Sequence, residues 1–253
     1  MTTDPTAVDD ATAVRHELTV VMPVYNEADG LADCVASWRQ TLDDLGIEYR
    51  LLILDDGSTD ATAEVLAGLA DDHRIEAVSK ANEGHGPTVL RGYADAVTDS
   101  DWVFQVDSDD EIPADAFAAL WQAKAGHDAV FGYRTGREQP IDRRIISRVA
   151  AVSVRRLFGS HVRDVNVPYR LLRAEALAPV LDAIPGDTFA PNLVVSGLLG
   201  RDRAGFAEVP VPHTPRRTGQ VSIAGLGAVR AAARSFVQTL QLAWRVRRSP
   251  ATQ

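Results

Sequence analysis

Apolar residues recur along this chain with two alternating periods. Short β-branched or aliphatic runs, Leu18 to Met22, Tyr49 to Leu54, Ile75 to Val78 and Trp102 to Val106, read as strands, and the stretches 29–45, 60–71 and 87–97 between them carry apolar residues at helical spacing. The rhythm continues with a strand from Asp128 to Tyr133, a helix over 142–158, a short strand from Tyr169 to Leu172, helices near 174–182 and 190–199, and a last strand from Phe206 to Val211. Alternating strands and helices predict a single α/β domain: a Rossmann-like, mostly parallel sheet with helices on both faces and ligands at the carboxyl ends of the strands. No internal repeat or low-complexity linker marks a second domain.

That domain is expected over 17–222, between two tails. Residues 1–16 are rich in Thr, Asp and Ala without periodicity and read as a disordered lead. In the tail, 223–253, residues 225–248 read as one helix. At about 100° per residue, Leu226, Val229, Ala233, Phe236, Val237, Leu240 and Trp244 share one arc, and Arg230, Arg234, Gln241, Arg245 and Arg248 share another, with Arg247 falling on the apolar side.

Composition refines this picture. A length of 253 residues with 45% hydrophobic content is enough for one large core. The single cysteine, Cys34, excludes an internal disulfide, and the first residues lack the basic and apolar regions of a signal peptide, so a cytosolic chain is expected. No apolar run reaches the roughly 18 residues needed to cross a bilayer. The net charge of -9 hides an asymmetry: Glu208 is the last acid, and seven arginines follow it. An acidic body repels nucleic acid, and no zinc spacing or aromatic-basic ribonucleoprotein motif is present. An anionic membrane surface, on the inner face of the cell membrane, is the better partner for the basic tail; the competing readings of its helix are packing on the sheet or a dimer contact. Oligomeric state is not readable.

Candidate chemistry gathers after the strands. Pro23-Val24-Tyr25-Asn26-Glu27 is a polar loop where a nucleotide could rest against a proline and an aromatic ring; alternatively Asn26 caps the next helix. Asp55 and Asp56 can accept hydrogen bonds from a base or ribose, with Gly57 permitting the tight turn, whereas Ser58 or Asp60 could simply cap a helix. Gly84 and Gly86 would let backbone approach a ligand at a helix N-terminus, and His85 between them is expected to be a solvent-facing turn residue. Asp107-Ser108-Asp109-Asp110-Glu111 is the most specific segment. Asp107 and Asp109, delivered by the strand before them, can converge on a hard cation such as Mg²⁺ or Mn²⁺, with Glu111 a third ligand. The competing reading is a loop whose Asp110 or Glu111 caps the helix opening at Pro113.

Taken in order, these motifs resemble those of a family 2 glycosyltransferase of the GT-A type, over about 18–222, and within it the dolichyl-phosphate mannose synthase-like or polyprenyl-phosphate branch. The resemblance implies that Pro23, Tyr25, Asn26, Glu27, Asp55 and Asp56 hold the nucleoside of a nucleoside-diphosphate sugar, and that Asp107 and Asp109 bind the metal and diphosphate. The segments Gly132-Tyr133-Arg134, Arg143-Arg144-Ile145-Ile146-Ser147 and Asp164-Val165-Asn166-Val167-Pro168-Tyr169-Arg170 resemble those of the lipid-phosphate branch, which implies that Arg134, Arg143 and Ser147 bind an acceptor phosphate; a guanidinium fork suits phosphate oxygens. Pro215 to Ser222 resembles the late Arg-x-x-Gly loop, which implies that Arg216 closes over the donor diphosphate. His213 is expected to be packed or solvated rather than a ligand.

The chain departs from the pattern in three places. Val167-Pro168-Tyr169 replaces Ser-Gly-Phe, Thr188-Phe189-Ala190-Pro191-Asn192 has no counterpart, and the Glu-Asp pair that supplies a general base for hydroxyl acceptors is missing, as is the Gln-x-x-Arg-Trp motif of processive synthases. A phosphate acceptor is already anionic and needs no base, so the expected reaction is metal-dependent inverting transfer to a polyprenyl phosphate. The rival readings are a glycosyltransferase acting on a soluble hydroxyl and a catalytically silent nucleotide-sugar-binding or scaffold protein. A sugar nucleotidyltransferase would need a Gly-rich, lysine-bearing opening loop, which this chain lacks.

Overall fold

The computed structural model describes residues 15–136, 141–214 and 236–245, with backbone alone for 141–146. The lead up to Ala13 and Val14, the 215–222 loop with Arg216, and most of the tail lie outside the described residues, as does the side chain of Arg143.

Every strand expected from the sequence forms. In order they are β1 (His16–Val24), β2 (Tyr49–Asp55), β3 (Ile75–Ser79), β4 (Ser100–Val106), β5 (Ala129–Thr135), β6 (Tyr169–Arg173) and β7 (Phe206–Pro212). The helices are α1 (Leu31–Asp44), α2 (Thr62–Leu69), α3 (His85–Asp99), α4 (Phe117–Ala123), α5 (Ile141–Phe158), α6 (Ala174–Asp182) and α7 (Pro191–Leu199), followed by a helical stretch over 236–245, here α8. β1 begins at His16, so the ordered fold reaches one residue into the expected lead.

The strands make one seven-stranded sheet in the order β3-β2-β1-β4-β6-β5-β7. β1 runs parallel to β2 and β4, β2 to β3, and β5 to β7, while β6 is antiparallel to both β4 and β5. The chain therefore winds outward from β1 to β3, then returns to the other side of β1 as β4. This reversal makes the crevice beyond β1 and β4 the switch point where α/β sheets bind ligands. Because β6 is reversed, its leading end pairs with the trailing end of β4 through Val106 and Tyr169. The 164–168 segment thus arrives at the same sheet edge as Asp107.

Two apolar layers hold the sheet, and strand alternation sorts residues between them. Leu18, Val20, Met22, Leu51, Ile53, Trp102 and Phe104 face one layer with α1 and α4; Val21, Leu52, Leu54 and Val103 face the other with α3, α5, α6 and α7. Phe104 centres the first layer, with ring centroids 4.6 Å from Phe117, 4.9 Å from Tyr169 and 5.3 Å from Trp38. Fully burying an aromatic ring of this kind contributes on the order of 2–3 kcal/mol, with edge-to-face geometry adding to it. In the second layer, the polar positions of the central strands are paired: Thr19 with Ser100 at 2.6 Å, and Gln105 accepting from the Tyr93 hydroxyl at 2.7 Å.

α8 joins the second layer through Thr239, Leu242 and Ala243, which are buried. The described part of the apolar arc expected from the helical wheel points the other way: Phe236, Val237, Leu240 and Trp244 are all exposed, Trp244 by 56%, while Leu226, Val229 and Ala233 lie outside the described residues. Packing on the domain and an outward apolar face therefore coexist in one helix.

Candidate active site

Two loops on the β1 and β2 side are built largely from their own polar groups. The Asn26 amide N–H donates to Ser58 Oγ at 2.9 Å, and Asn26 Oδ1 accepts from the Thr59 N–H at 2.8 Å. Asn26 adopts φ 55°, in the left-handed region that Asn tolerates. It does not cap α1, whose N-cap is Gly30. Asp55 accepts from the Ser58 N–H at 2.9 Å and the Ser58 hydroxyl at 2.6 Å, and Asp60 accepts from the Thr62 N–H at 3.0 Å. The capping alternative thus holds for Asp60 in part, while Ser58 links the two loops. Gly57, at φ 73°, supplies the turn, and a Cβ there would sit 2.9 Å from the Asn82 nitrogen. Glu27 is buried, with its N–H on Thr62 Oγ1 at 3.0 Å. Tyr25 is exposed beside them.

Asp56 is buried like Asp55 and is held by a cation as well as by backbone. It accepts from the Glu83 N–H at 2.9 Å and the Gly84 N–H at 2.8 Å, and from the Lys80 ammonium. Burial works against its charge, but the Lys80 and backbone hydrogen bonds outweigh it and keep the carboxyl below its usual range. Lys80, one of two lysines beyond β2 that the fold describes, is itself buried and also reaches Glu83 at 3.0 Å. A lysine just after a strand in an arginine-rich sequence was the available signal for this role. These bonds shape the loop that opens α3, with Gly84 at φ 93° as its N-cap.

The acidic segment follows β4 at the switch point and is fastened on both sides. Ser108 is buried with its hydroxyl 3.5 Å from the Pro23 carbonyl, and Thr214, just past β7, donates its hydroxyl to the Asp110 carbonyl at 2.9 Å and its N–H to the Glu111 carbonyl at 2.8 Å. Asp110 takes φ 53°. Neither Asp110 nor Glu111 caps the turn that opens at Pro113. Beneath the loop lies the buried Cys34, whose thiol is pushed up by burial first and by Asp110 next, so it stays protonated and inert.

Each carboxylate has a defined partner. Asp107 Oδ1 is 2.9 Å from His85 Nε2, Asp109 Oδ1 accepts the Glu111 N–H at 3.2 Å, and Glu111 Oε2 is 3.1 Å from His213 Nε2. His85 is exposed, as expected, but it opens α3 rather than sitting in a free turn, and its ring rests on Asp107. Desolvation lowers the basicity of its imidazole, and the Asp107 charge more than offsets this. His213 is packed, as expected, but against Glu111. Among the described residues no three His, Cys, Asp or Glu side chains converge as a ready-made metal cage. Hard carboxylate oxygens at Asp107 and Asp109 nevertheless fit a Mg²⁺- or Mn²⁺-type cation that takes its remaining ligands from a bound phosphate. Glu111, turned to His213, does not join them in this arrangement.

On the opposite flank, Arg134 at the end of β5 is gripped by Asp164, Nε to Oδ2 at 2.8 Å and Nη2 to Oδ1 at 3.0 Å. Neighbouring Arg163 lies over the Tyr133 ring at 4.9 Å and donates its backbone N–H to Glu208 at 2.7 Å. Ser147 is exposed on α5. Arg170, fully buried, donates to the Val167 carbonyl at 3.0 Å, the Asn192 carbonyl at 3.0 Å and Ser196 Oγ at 3.2 Å, and so braces the segment that carries Asp164. The structure thus brings together the loops after β1 and β2, the acidic segment and Arg134 along one sheet edge.

The model of "Glycosyl transferase family 2" matches residues 19–180. Curated relatives include undecaprenyl-phosphate 4-deoxy-4-formamido-L-arabinose transferases of Salmonella paratyphi B and Salmonella newport, each 27% identical over 214 residues, 83% of this chain. The chain spans 63% of the length of these relatives. Their names carry the polyprenyl-phosphate branch to which the Arg134, Arg143 and Asp164 segments bear resemblance. Solved structures with the same fold include glucosyl-3-phosphoglycerate synthase from Mycobacterium tuberculosis in complex with Mn²⁺, UDP-glucose and glycerol 3-phosphate, at 20% identity and TM-score 0.64, covering 90% of this chain and 80% of that one. Mannosyl-3-phosphoglycerate synthase from Rubrobacter xylanophilus aligns at 16% identity and TM-score 0.64 over 94% of this chain and 76% of that one.

Proposed function

Because the chain belongs to glycosyl transferase family 2 and is a glycosyltransferase, we propose that it moves a sugar from a nucleoside-diphosphate donor to a phosphate acceptor, polyprenyl phosphate, with inversion at the anomeric carbon. The observation that carries this reading is the position of Asp107 and Asp109 at the switch point, with the nucleoside-side loops on one flank and Arg134 on the other. Tyr25, Pro23, Asn26, Glu27 and the Asp55-Asp56 loop frame the nucleoside, and Gly84 and Gly86 bring the α3 N-terminus toward the diphosphate. Asp107 and Asp109 would hold a divalent cation, which when bound neutralises the diphosphate. The resemblance of the 215–222 segment to the late Arg-x-x-Gly loop gives Arg216 the role of a second cation for that group.

The acceptor phosphate oxygen forms its bond to the anomeric carbon as the carbon–diphosphate bond breaks, and the nucleoside diphosphate leaves. A phosphate monoester attacks as an anion, so orientation and charge stabilisation carry the catalysis. Asp164 presents Arg134 in a fixed orientation, and Arg143 and Ser147 complete the phosphate contacts from α5. The Mn²⁺ and UDP-glucose bound in the mycobacterial structure, and the undecaprenyl phosphate in the relatives' names, support this donor and acceptor chemistry.

No helix among the described residues is long and apolar enough to cross a membrane. The protein instead works at the inner membrane surface through the outward face of α8, aided by Val149 and Val152, which are exposed on α5 among Arg148, Arg155 and Arg156. The test incubates the protein with Mn²⁺, UDP- or GDP-sugars and undecaprenyl phosphate, and in parallel with soluble hydroxyl acceptors. Sugar extracted with the lipid is expected; transfer to hydroxyl acceptors alone would overturn the acceptor assignment.

A further inference from the structure

The loop between α6 and α7, which has no counterpart in the sequence resemblance, makes two contacts that join distant parts of the molecule. The carbonyls of Thr188 and Phe189 lie against Gly86 so closely that a Cβ there would come within 2.3 Å of both oxygens. Gly86 follows His85, whose ring meets Asp107 at 2.9 Å. On its other side the loop is tied to α8, because the Phe189 N–H donates to Gln238 Oε1 at 2.9 Å. Thr188 is buried and its N–H bonds the Pro185 carbonyl at 3.0 Å, so the loop is a compact unit. A side-chain hydrogen bond thus connects the helix that carries the outward apolar face to the peptide that seats the first turn of α3 beside the acidic segment.

We propose that Gln238 is a positioning residue: through the 188–189 peptide it fixes the first turn of α3, and with it His85 and Asp107, and a lipid surface that holds α8 in place tightens this seat. The lipid half of the proposal rests on the membrane reading above. The first half does not, since Gln238 and the loop meet within the chain itself. The consequence is a surface-dependent enzyme whose donor side is set by the helix that finds the bilayer. Such coupling needs a demonstrated response at both ends rather than proximity alone.

The experiment compares wild type, Gln238→Leu and Gln238→Glu. Leucine removes the acceptor for the Phe189 N–H while keeping a side chain of similar reach; glutamate retains a carboxylate oxygen for it. Hydrogen exchange followed by mass spectrometry, without vesicles, should show amides of 84–90 exchanging about 5–10-fold faster in Gln238→Leu, the effect of losing one hydrogen bond worth about 1 kcal/mol, with Gln238→Glu close to wild type. Vesicles of phosphatidylcholine and phosphatidylglycerol should slow exchange at 84–90 in wild type and Gln238→Glu but not in Gln238→Leu, although all three sediment with the vesicles. In donor turnover with Mn²⁺ and UDP-glucose or GDP-mannose, Gln238→Leu should lower kcat with little change in KM. Equal exchange at 84–90 in wild type and Gln238→Leu overturns the positioning role. If wild type fails to sediment with the vesicles, the membrane reading falls and the lipid half with it, while the vesicle-free comparison still decides the role of Gln238.

Discussion

Arg170 offers the most quantitative test of how the acceptor side is held. It is fully buried, and burial pulls its guanidinium below the usual arginine range; it donates to neutral acceptors, the Val167 and Asn192 carbonyls and Ser196 Oγ. Replacing it with methionine keeps much of the volume and removes the cost of burying a charge, which alone can amount to several kcal/mol. Against that, the carbonyls of Val167 and Asn192 lose their donors. Hydrogen bonds from a charged donor are worth roughly 1.5–3 kcal/mol each, a figure that already includes the cost to the acceptors, so losing several outweighs the gain from removing the charge. The balance predicts that Arg170→Met loses on the order of 2–4 kcal/mol in urea unfolding followed by circular dichroism, with an unchanged m-value. Because the 164–168 segment carries Asp164, the variant should also lose transfer to the acceptor more than it loses donor hydrolysis. A variant as stable as wild type, or more so, would refute the reasoning: the charge would then be a net burden that the carbonyls do not need.

Gly86→Ala should destabilise by about 1–3 kcal/mol and slow donor turnover, because the methyl meets backbone oxygens that cannot rotate away; thermal denaturation and turnover assays check both. Phe104→Ala should cost about 3–5 kcal/mol in urea unfolding, since three rings pack on it. Acid should destabilise the fold in a defined window: Arg74 hydrogen bonding holds Asp72 at about 2, and Asp56 and Asp60 also lie below their ordinary values. Such carboxylates stabilise fully above the unfolded value of about 4, and the contribution of Asp72 is lost as pH falls toward its folded value, so Asp72→Asn should flatten the acid limb of a stability–pH profile. Glu208, raised by burial, works in the opposite direction at neutral pH.

The elements were legible because two periods of hydrophobicity separate cleanly in this chain, and strand ends bearing Asp55-Asp56 and Asp107-Asp109 stood out as polar groups after apolar runs. The reversed direction of β6 was not legible, since a period of two is the same in either direction. Nor were the pairings that define the site. Lys80 meets Asp56 across 24 positions, His85 meets Asp107 across 22, Arg134 meets Asp164 across 30 and His213 meets Glu111 across 102; topology alone brings them together. The wheel of the tail helix identified its apolar arc but not which side it faces. That is decided by the fit of Thr239, Leu242 and Ala243 against the second layer.

Asp107 and Asp109 are proposed to hold a divalent cation against the donor diphosphate at the switch point. The most direct measurement is Mn²⁺-dependent turnover of nucleoside-diphosphate sugars by wild type and Asp109→Ala, with matched circular dichroism spectra to show that both fold. Chelation should abolish wild-type turnover, and Asp109→Ala should lose at least about 100-fold, the scale of removing a principal electrostatic stabiliser. Near-normal, metal-dependent turnover by Asp109→Ala would contradict it.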